Sequence, residues 1–268
     1  MHLIEALDAI EVADPIVDET AYKALWLEHC AHLPPMAMAF VGGALADRFA
    51  WIFVAGYQGA IRHIFPTRKF PAWVAFAVSE DRSEHAPLPG VTWQAADDAI
   101  VVNGSKTWVA ASENCDEIVF SAGRGGGKRF FVVARVNPNV ALETRPPGRM
   151  LPDLSQGSAH FTATRLALES EMNTRLVPGF GPCEVLYIYA AFLASTWVRF
   201  PAERGAVAPL LELASEISSR EEISREHADM VEFDRGVQRL LRHLRQDVCG
   251  HNDLWRRDYK LIAMYAQS

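Results

Sequence analysis

Of the 268 residues only four are cysteine (Cys30, Cys115, Cys183 and Cys249), and no two of them form a CxxC pair. That scatter excludes a zinc ribbon or a thioredoxin-type redox pair. It points to free thiols in a reducing compartment, which places the protein in the cytoplasm. A basic excess is also missing, since the formal net charge is −7. Nucleic acid and anionic membranes call for a basic face, so neither is an expected partner. The most apolar stretches, Pro35 to Ala46 and Val185 to Val198, fall short of the about 17 residues that span a bilayer. The opening MHLIEALDAIEVAD has acids where a secretory leader has a basic region and an apolar core. There is no internal repeat and no low-complexity tract. Gly123-Arg-Gly-Gly-Gly-Lys128 lacks the first glycine of a phosphate loop, has Arg129 where that loop has Ser or Thr, and lies between strand-like runs. It reads as a hairpin turn. His29-Cys30-x-His32 has no companion ligand cluster and reads as a helix end, so no metal is expected.

Half the residues are apolar and 22% are charged, which suffices for a packed core. Residues 1–72 carry a helical period, with Thr20 to His29 as one helix and Met36 to Ile64 as a long apolar pattern opened by Pro34-Pro35. Gly42-Gly43 and Gly56 either let neighbouring backbones come close or mark a break between two helices. From Trp73 the period shortens. Extended runs cover Trp73 to Ser79, Val91 to Ala96, Ile100 to Val102, Ser105 to Ala110, Glu117 to Ala122, Arg129 to Val136, Val140 to Thr144 and Ala159 to Ala163. Asp97-Asp98 is a tight turn, and Asn103-Gly104 between two apolar runs predicts a central hairpin. Beyond Gly181 the helical period returns, over Glu184 to Arg199, Ser219 to Asp247 and Asn252 to Ala266. The expected fold is α+β and multidomain. It has an N-terminal helical domain (1–72), a central antiparallel, β-barrel-like domain (73–174) and a C-terminal helical bundle (175–268).

Helices, then this β-domain, then a bundle: with FAVSE (Phe76 to Glu80), VNGSKTWVAAS (Val102 to Ser112), Gly148-Arg149 with Phe161, and WRRDYKLIAMYA (Trp255 to Ala266), the chain resembles the acyl-CoA dehydrogenase family of flavoproteins. The likeness runs unevenly over most of residues 36–268, and the middle motif is the most specific. It implies an FAD site in which Phe76, Val78 and Ser79 contact the flavin and Trp108 lies against the isoalloxazine. The Ala110 N–H would point at the hydride-accepting N5, where family members usually have Thr or Ser. It also implies that a symmetry-related subunit holds the adenine end, through Arg204 and through Gly250. The partners would then be an acyl-CoA substrate, a second copy in a homodimer or homotetramer, and an electron-transfer protein.

The family's reaction removes a proton from the α-carbon of a thioester while hydride leaves the β-carbon, which requires a carboxylate base in a dry site. The position where most members carry that base is Ala266 here. A branch resembling the isovaleryl-CoA and long-chain enzymes has it on the first bundle helix, where this chain has Glu184. Glu184 is also the last acid before the uncharged stretch Val185 to Val198, although a glutamate in a first turn equally complements a helix dipole. On this reading the Ala266 N–H helps polarise the thioester carbonyl. The segment after Ser79 departs from the family, as Glu80-Asp81-Arg82-Ser83-Glu84, and the chain is shorter than the usual member. Two other readings therefore stay open: a flavin monooxygenase on the same fold, and a flavin-free relative kept as a binding or assembly subunit.

Overall fold

The computed structural model describes residues 7–10, 15–83, 88–247 and 257–266. They fall into two compact units, one drawn from both ends of the chain (up to Pro66 and from Leu176) and one from Thr67–Arg175.

The first unit is helical. It contains α1 (Glu19–His29), α2 (Pro35–Leu45), α3 (Phe49–Ile64), α4 (Phe180–Arg199), α5 (Arg204–Ser218), α6 (Ala228–Asp247) and α7 (Lys260–Met264). The Asp18 carboxylate caps α1 by accepting from the Ala21 N–H at 2.8 Å. Helix α4 is the core, with every residue from Val185 to Val198 buried against α2, α3 and α5. A Cβ on Gly43 would stand 2.2 Å from the Ala191 carbonyl oxygen, and one on Gly56 would stand 2.5 Å from the Ile188 Cα. These glycines therefore let α2 and α3 lie backbone to backbone on α4. The break between α2 and α3 comes later, at Ala46–Arg48. There the Asp47 carboxylate accepts from the Ile16 N–H (2.8 Å) and pairs with Arg48 (2.9 Å). Val177–Arg199 is long and apolar enough, by length and composition, to cross a membrane, which the shorter apolar count did not register. Its enclosure by three helices makes it the core helix of this unit.

The C-terminal helices differ from expectation. Helix α6 starts at Ala228 rather than Ser219, and α5 fills a stretch with no anticipated helix. Residues 219–227 form turns, tied to α6 by the Arg220–Asp229 ion pair. Pro209 and Gly205 inside α5 obscured its pattern, because both are poor helix formers.

The second unit has seven strands: β1 (Val74–Ala77), β2 (Thr92–Ala96), β3 (Ala99–Ala110), β4 (Glu117–Ala122), β5 (Arg129–Ala134), β6 (Val140–Thr144) and β7 (Gln156–Ala167). They make two open sheets, ordered β1-β4-β5 and β2-β3-β7-β6, and no barrel closes among the described residues. All pairs are antiparallel except β1 with β4. Val109, Ile118, Phe120, Phe131 and Phe161 form the core that both sheets share.

The expected central hairpin is absent, because β3 runs straight through Asn103-Gly104. Gly104 has φ +122°, and the register against β7 shifts between Val102 and Gly104. A Cβ there would meet the Gly90 carbonyl oxygen at 2.3 Å, while the Asn103 side-chain oxygen accepts from the Ala163 N–H at 2.7 Å. Positive φ and a short polar side chain serve a β-bulge as well as a turn, and here the backbone at Gly90, in the segment leading into β2, lies against Gly104 and favours the bulge.

Gly43→Val should destabilise the helical unit by about 3 kcal/mol, the upper end of ordinary overpacking, because backbone cannot move aside as a side chain can. Urea unfolding followed by circular dichroism measures it. Wild-type stability would mean that α2 and α4 are not in backbone contact.

Candidate functional site

In the β unit the residues assigned to the flavin fall into an exposed and a buried group. Strand β1 is buried throughout, and the Phe76 ring stacks on Phe130 with centroids 5.8 Å apart. Its backbone, not its ring, is therefore what it can offer a ligand. Val78, 39% exposed, and the exposed Ser79 follow at once. The Ser79 carbonyl accepts from the Thr107 N–H at 2.9 Å, so Val78–Ser79 runs beside Thr107–Trp108. Trp108 is half-buried, and its indole N–H is held by the Gln156 side-chain oxygen at 3.1 Å. Gln156 is itself held, through its amide, on the Met150 carbonyl at 3.1 Å. Ala110 is buried and pairs with Gln156 in the ladder. An oriented indole beside an exposed valine and a serine hydroxyl fits a planar apolar ring system with polar edge oxygens, which is the chemistry of an isoalloxazine.

Directly before Thr107 lies a group that the sequence did not single out. The Lys106 side chain has no exposure, and its ammonium donates to Glu80 at 2.6 Å and to the Ser121 hydroxyl at 3.0 Å. Burial pulls its pKa down, against the opposing pull of Glu80. Burial alone would push the Glu80 carboxyl up, but the hydrogen bond and charge of Lys106, with the Val91 N–H, hold it below the usual value. A lysine in a β-strand reads as surface, and only the position of the opposite sheet places it inside.

In the helical unit Glu184 lies in the first turns of α4, half-buried, immediately before the enclosed run. Burial pushes its carboxyl up to about 7. The Tyr265 hydroxyl lies in the field of Glu184, Tyr57 and Tyr189, and burial with those neighbours raises its pKa. The Tyr57 ring meets Phe180 edge to face at 6.2 Å. Tyr189 donates to the buried Asp234 at 2.8 Å and accepts from the Gln238 amide at 2.7 Å. The same amide nitrogen donates to the Ile262 carbonyl at 2.9 Å, which ties the turn carrying Tyr265 to α6. An acid whose pKa burial brings near neutrality can take up a proton at pH 7 and also release it. None of the three tyrosines was legible as part of a site. Tyr265, next to the Ala266 position, was the nearest available signal.

The remaining assignments are placed as follows. The Ala266 N–H donates to the Ala263 carbonyl at 3.3 Å, which closes the end of α7 and removes it as a donor to a thioester. Arg204 is engaged within its own unit. It pairs with Asp8 at 3.2 Å, donates to the Trp197 carbonyl at 3.1 Å and covers the Trp197 ring at 5.0 Å. Gly250 lies outside the described residues. A groove of about 440 Å³ lined by Leu210, Leu213 and Leu240 runs between α5 and α6, with His243 and Glu203 at its rim 3.2 Å apart. It contains none of the assigned residues. Among the described residues no cluster of His, Cys, Asp or Glu could hold a metal.

Comparison by sequence finds no matching family model and no matching curated protein. By structure the chain is similar to butyryl-CoA dehydrogenase from Megasphaera elsdenii, with TM-score 0.66 and 11% identity over 94% of this chain and 87% of that one. It is similar to the prolyl acyl carrier protein oxidase AnaB, with TM-score 0.69 and 12% identity over 99% and 92%. It is also similar to PigA with FAD and proline, with TM-score 0.66 and 11% identity over 94% and 86%. The fold is therefore that of the acyl-CoA dehydrogenases.

The raised pKa of Glu184 makes a prediction that needs no ligand. In the unfolded chain its carboxyl ionises near 4.5, in the folded protein only near 7. Ionisation therefore opposes folding increasingly from pH 4.5 to pH 7. Glu184→Gln should gain stability relative to wild type as pH rises through that window, levelling off at about 3 kcal/mol by pH 8. Parallel unfolding curves at pH 4.5 and pH 8 test this. A difference independent of pH would mean an ordinary, solvated carboxyl.

Proposed function

We propose that this protein is an FAD-dependent oxidoreductase that dehydrogenates an acyl thioester between its α- and β-carbons, with Glu184 as the base. The observation that carries this reading is the position of Glu184, a half-buried carboxylate directly before the buried, uncharged run of the core helix, where burial raises its pKa. Butyryl-CoA dehydrogenase and the FAD-containing PigA have that fold, which supports FAD as the cofactor here.

Bound FAD would accept the hydride that leaves the β-carbon. Val78, Ser79 and Trp108 would hold its ring system, the indole oriented by Gln156 and the serine offering a hydroxyl to the polar edge. A Glu184 carboxylate oxygen would take the α-proton. With a pKa raised towards neutrality, the carboxyl has an ionised form available to do so at pH 7. Tyr265 lies in the electrostatic field of Glu184, and Asp234 and Gln238 fix the Tyr189 hydroxyl. An oligomer in which Arg204 leaves Asp8 to reach the adenine of a second copy, an electron-transfer protein that reoxidises the flavin and a cytoplasmic location complete the proposal. The acyl carrier is a CoA thioester.

The purified protein loaded with FAD should lose its flavin absorbance band when mixed anaerobically with acyl-CoA. Glu184→Gln should bind FAD as wild type does and bleach at least about a hundredfold more slowly. Bleaching of the variant at the wild-type rate would remove Glu184 from the mechanism. A wild-type protein that retains FAD and is never bleached by any acyl-CoA would remove the thioester.

A further inference from the structure

A lysine with no solvent exposure is expensive to keep, and Lys106 has only its ion pair and one hydroxyl to offset its burial. An apolar pair of similar volume would commonly stabilise a fold as well or better. The benefit of keeping the pair lies in what it fixes. Glu80 stands immediately after Val78–Ser79, and its carboxylate is confined from three directions. Lys106 donates to it at 2.6 Å, and the Val91 N–H donates to the same oxygen at 3.3 Å. Its other oxygen fills the space where a side chain on Gly90 would begin, 2.5 Å from that position. The strand on either side of Lys106 holds the same two segments, since the Ser105 N–H donates to the Pro89 carbonyl (2.8 Å) and the Thr107 N–H to the Ser79 carbonyl (2.9 Å). Asp81 adds a further tie, accepting from the Ser83 and Leu88 N–H groups at 2.8 and 2.9 Å. The departure from β1 and the approach to β2 are thus fastened to β3 at one point, two residues before Trp108.

We propose that Lys106 is a positioning residue for the flavin. Through Glu80 it holds the Val78–Ser79 edge in register with Trp108, so that valine, serine hydroxyl and indole present one surface to the ring system. The inference rests on the FAD reading above. It concerns a residue that touches no ligand itself, and it predicts that the fold survives without the pair while the flavin site does not.

The experiment measures FAD affinity by quenching of flavin fluorescence, together with the spectrum and midpoint potential of the bound flavin at saturation. It compares wild type, Lys106→Met and the double variant Lys106→Met with Glu80→Met. The double variant removes both charges and so keeps the test valid if the single variant, with Glu80 left unpaired, fails to fold. Far-ultraviolet circular dichroism and thermal unfolding should show the double variant folded. Its FAD affinity should fall roughly ten- to a hundredfold, as when outer-shell groups that only orient ligands are removed from metal sites. Its bound flavin should have a shifted spectrum and potential, which a purely structural lysine would leave unchanged. Wild-type affinity in the folded double variant would overturn the proposal, as would an unaltered spectrum and potential at saturating FAD. Wild-type protein that binds no FAD would overturn the flavin reading itself, an outcome distinct from wild type and variant binding FAD alike.

Discussion

A helix enclosed from every side can carry a charge only at its ends. Helix α4 buries all of Val185 to Val198 and accepts two neighbouring helices at backbone distance through Gly43 and Gly56. Any acid within that run would need a buried partner, and the run has none of either sign. Glu184 is therefore placed by exclusion at the border where the apolar wall begins. Partial desolvation at that border moves its proton affinity into the physiological range. The packing that makes α4 the core and the chemistry that makes Glu184 a candidate base have one origin.

The β unit solves a different problem with the same economy. Its exposed edge at Val78–Ser79 follows a strand that is buried throughout, and short strand ends beside loops are ordinarily the least ordered part of a sheet. Here the edge is tied to β3 by backbone and by a buried ion pair, and the indole of Trp108 is tied to β7 by Gln156. A surface with both sides pinned can bind a rigid planar ligand without first having to be ordered.

Much of this was legible in the sequence. The strands β4, β5 and β6 stand close to where the alternation placed them, and Glu184 was recognisable because an uncharged stretch makes its last acid conspicuous. Errors came where one local signal serves two structures. Asn103-Gly104 supplies a positive φ, and a positive φ fits a hairpin or a bulge; the backbone of the segment at Gly90 made the choice. Pro209 hid a helix because propensity penalises proline, while the packing of α5 on α4 and α6 outweighs that penalty. Lys106 and Tyr265 were invisible for a related reason. Each acquires its meaning from partners many residues away, such as Glu80 for the lysine and Glu184 for Tyr265.

The single amide of Gln238 has a further consequence. It grips Tyr189 and the Ile262 carbonyl together, and α7, the helix it holds, is only five residues long. So short a helix has little cohesion of its own and remains seated chiefly through what it touches. The same turn carries Tyr265, whose hydroxyl lies in the field of Glu184, so one side-chain amide on α6 sets where that hydroxyl stands.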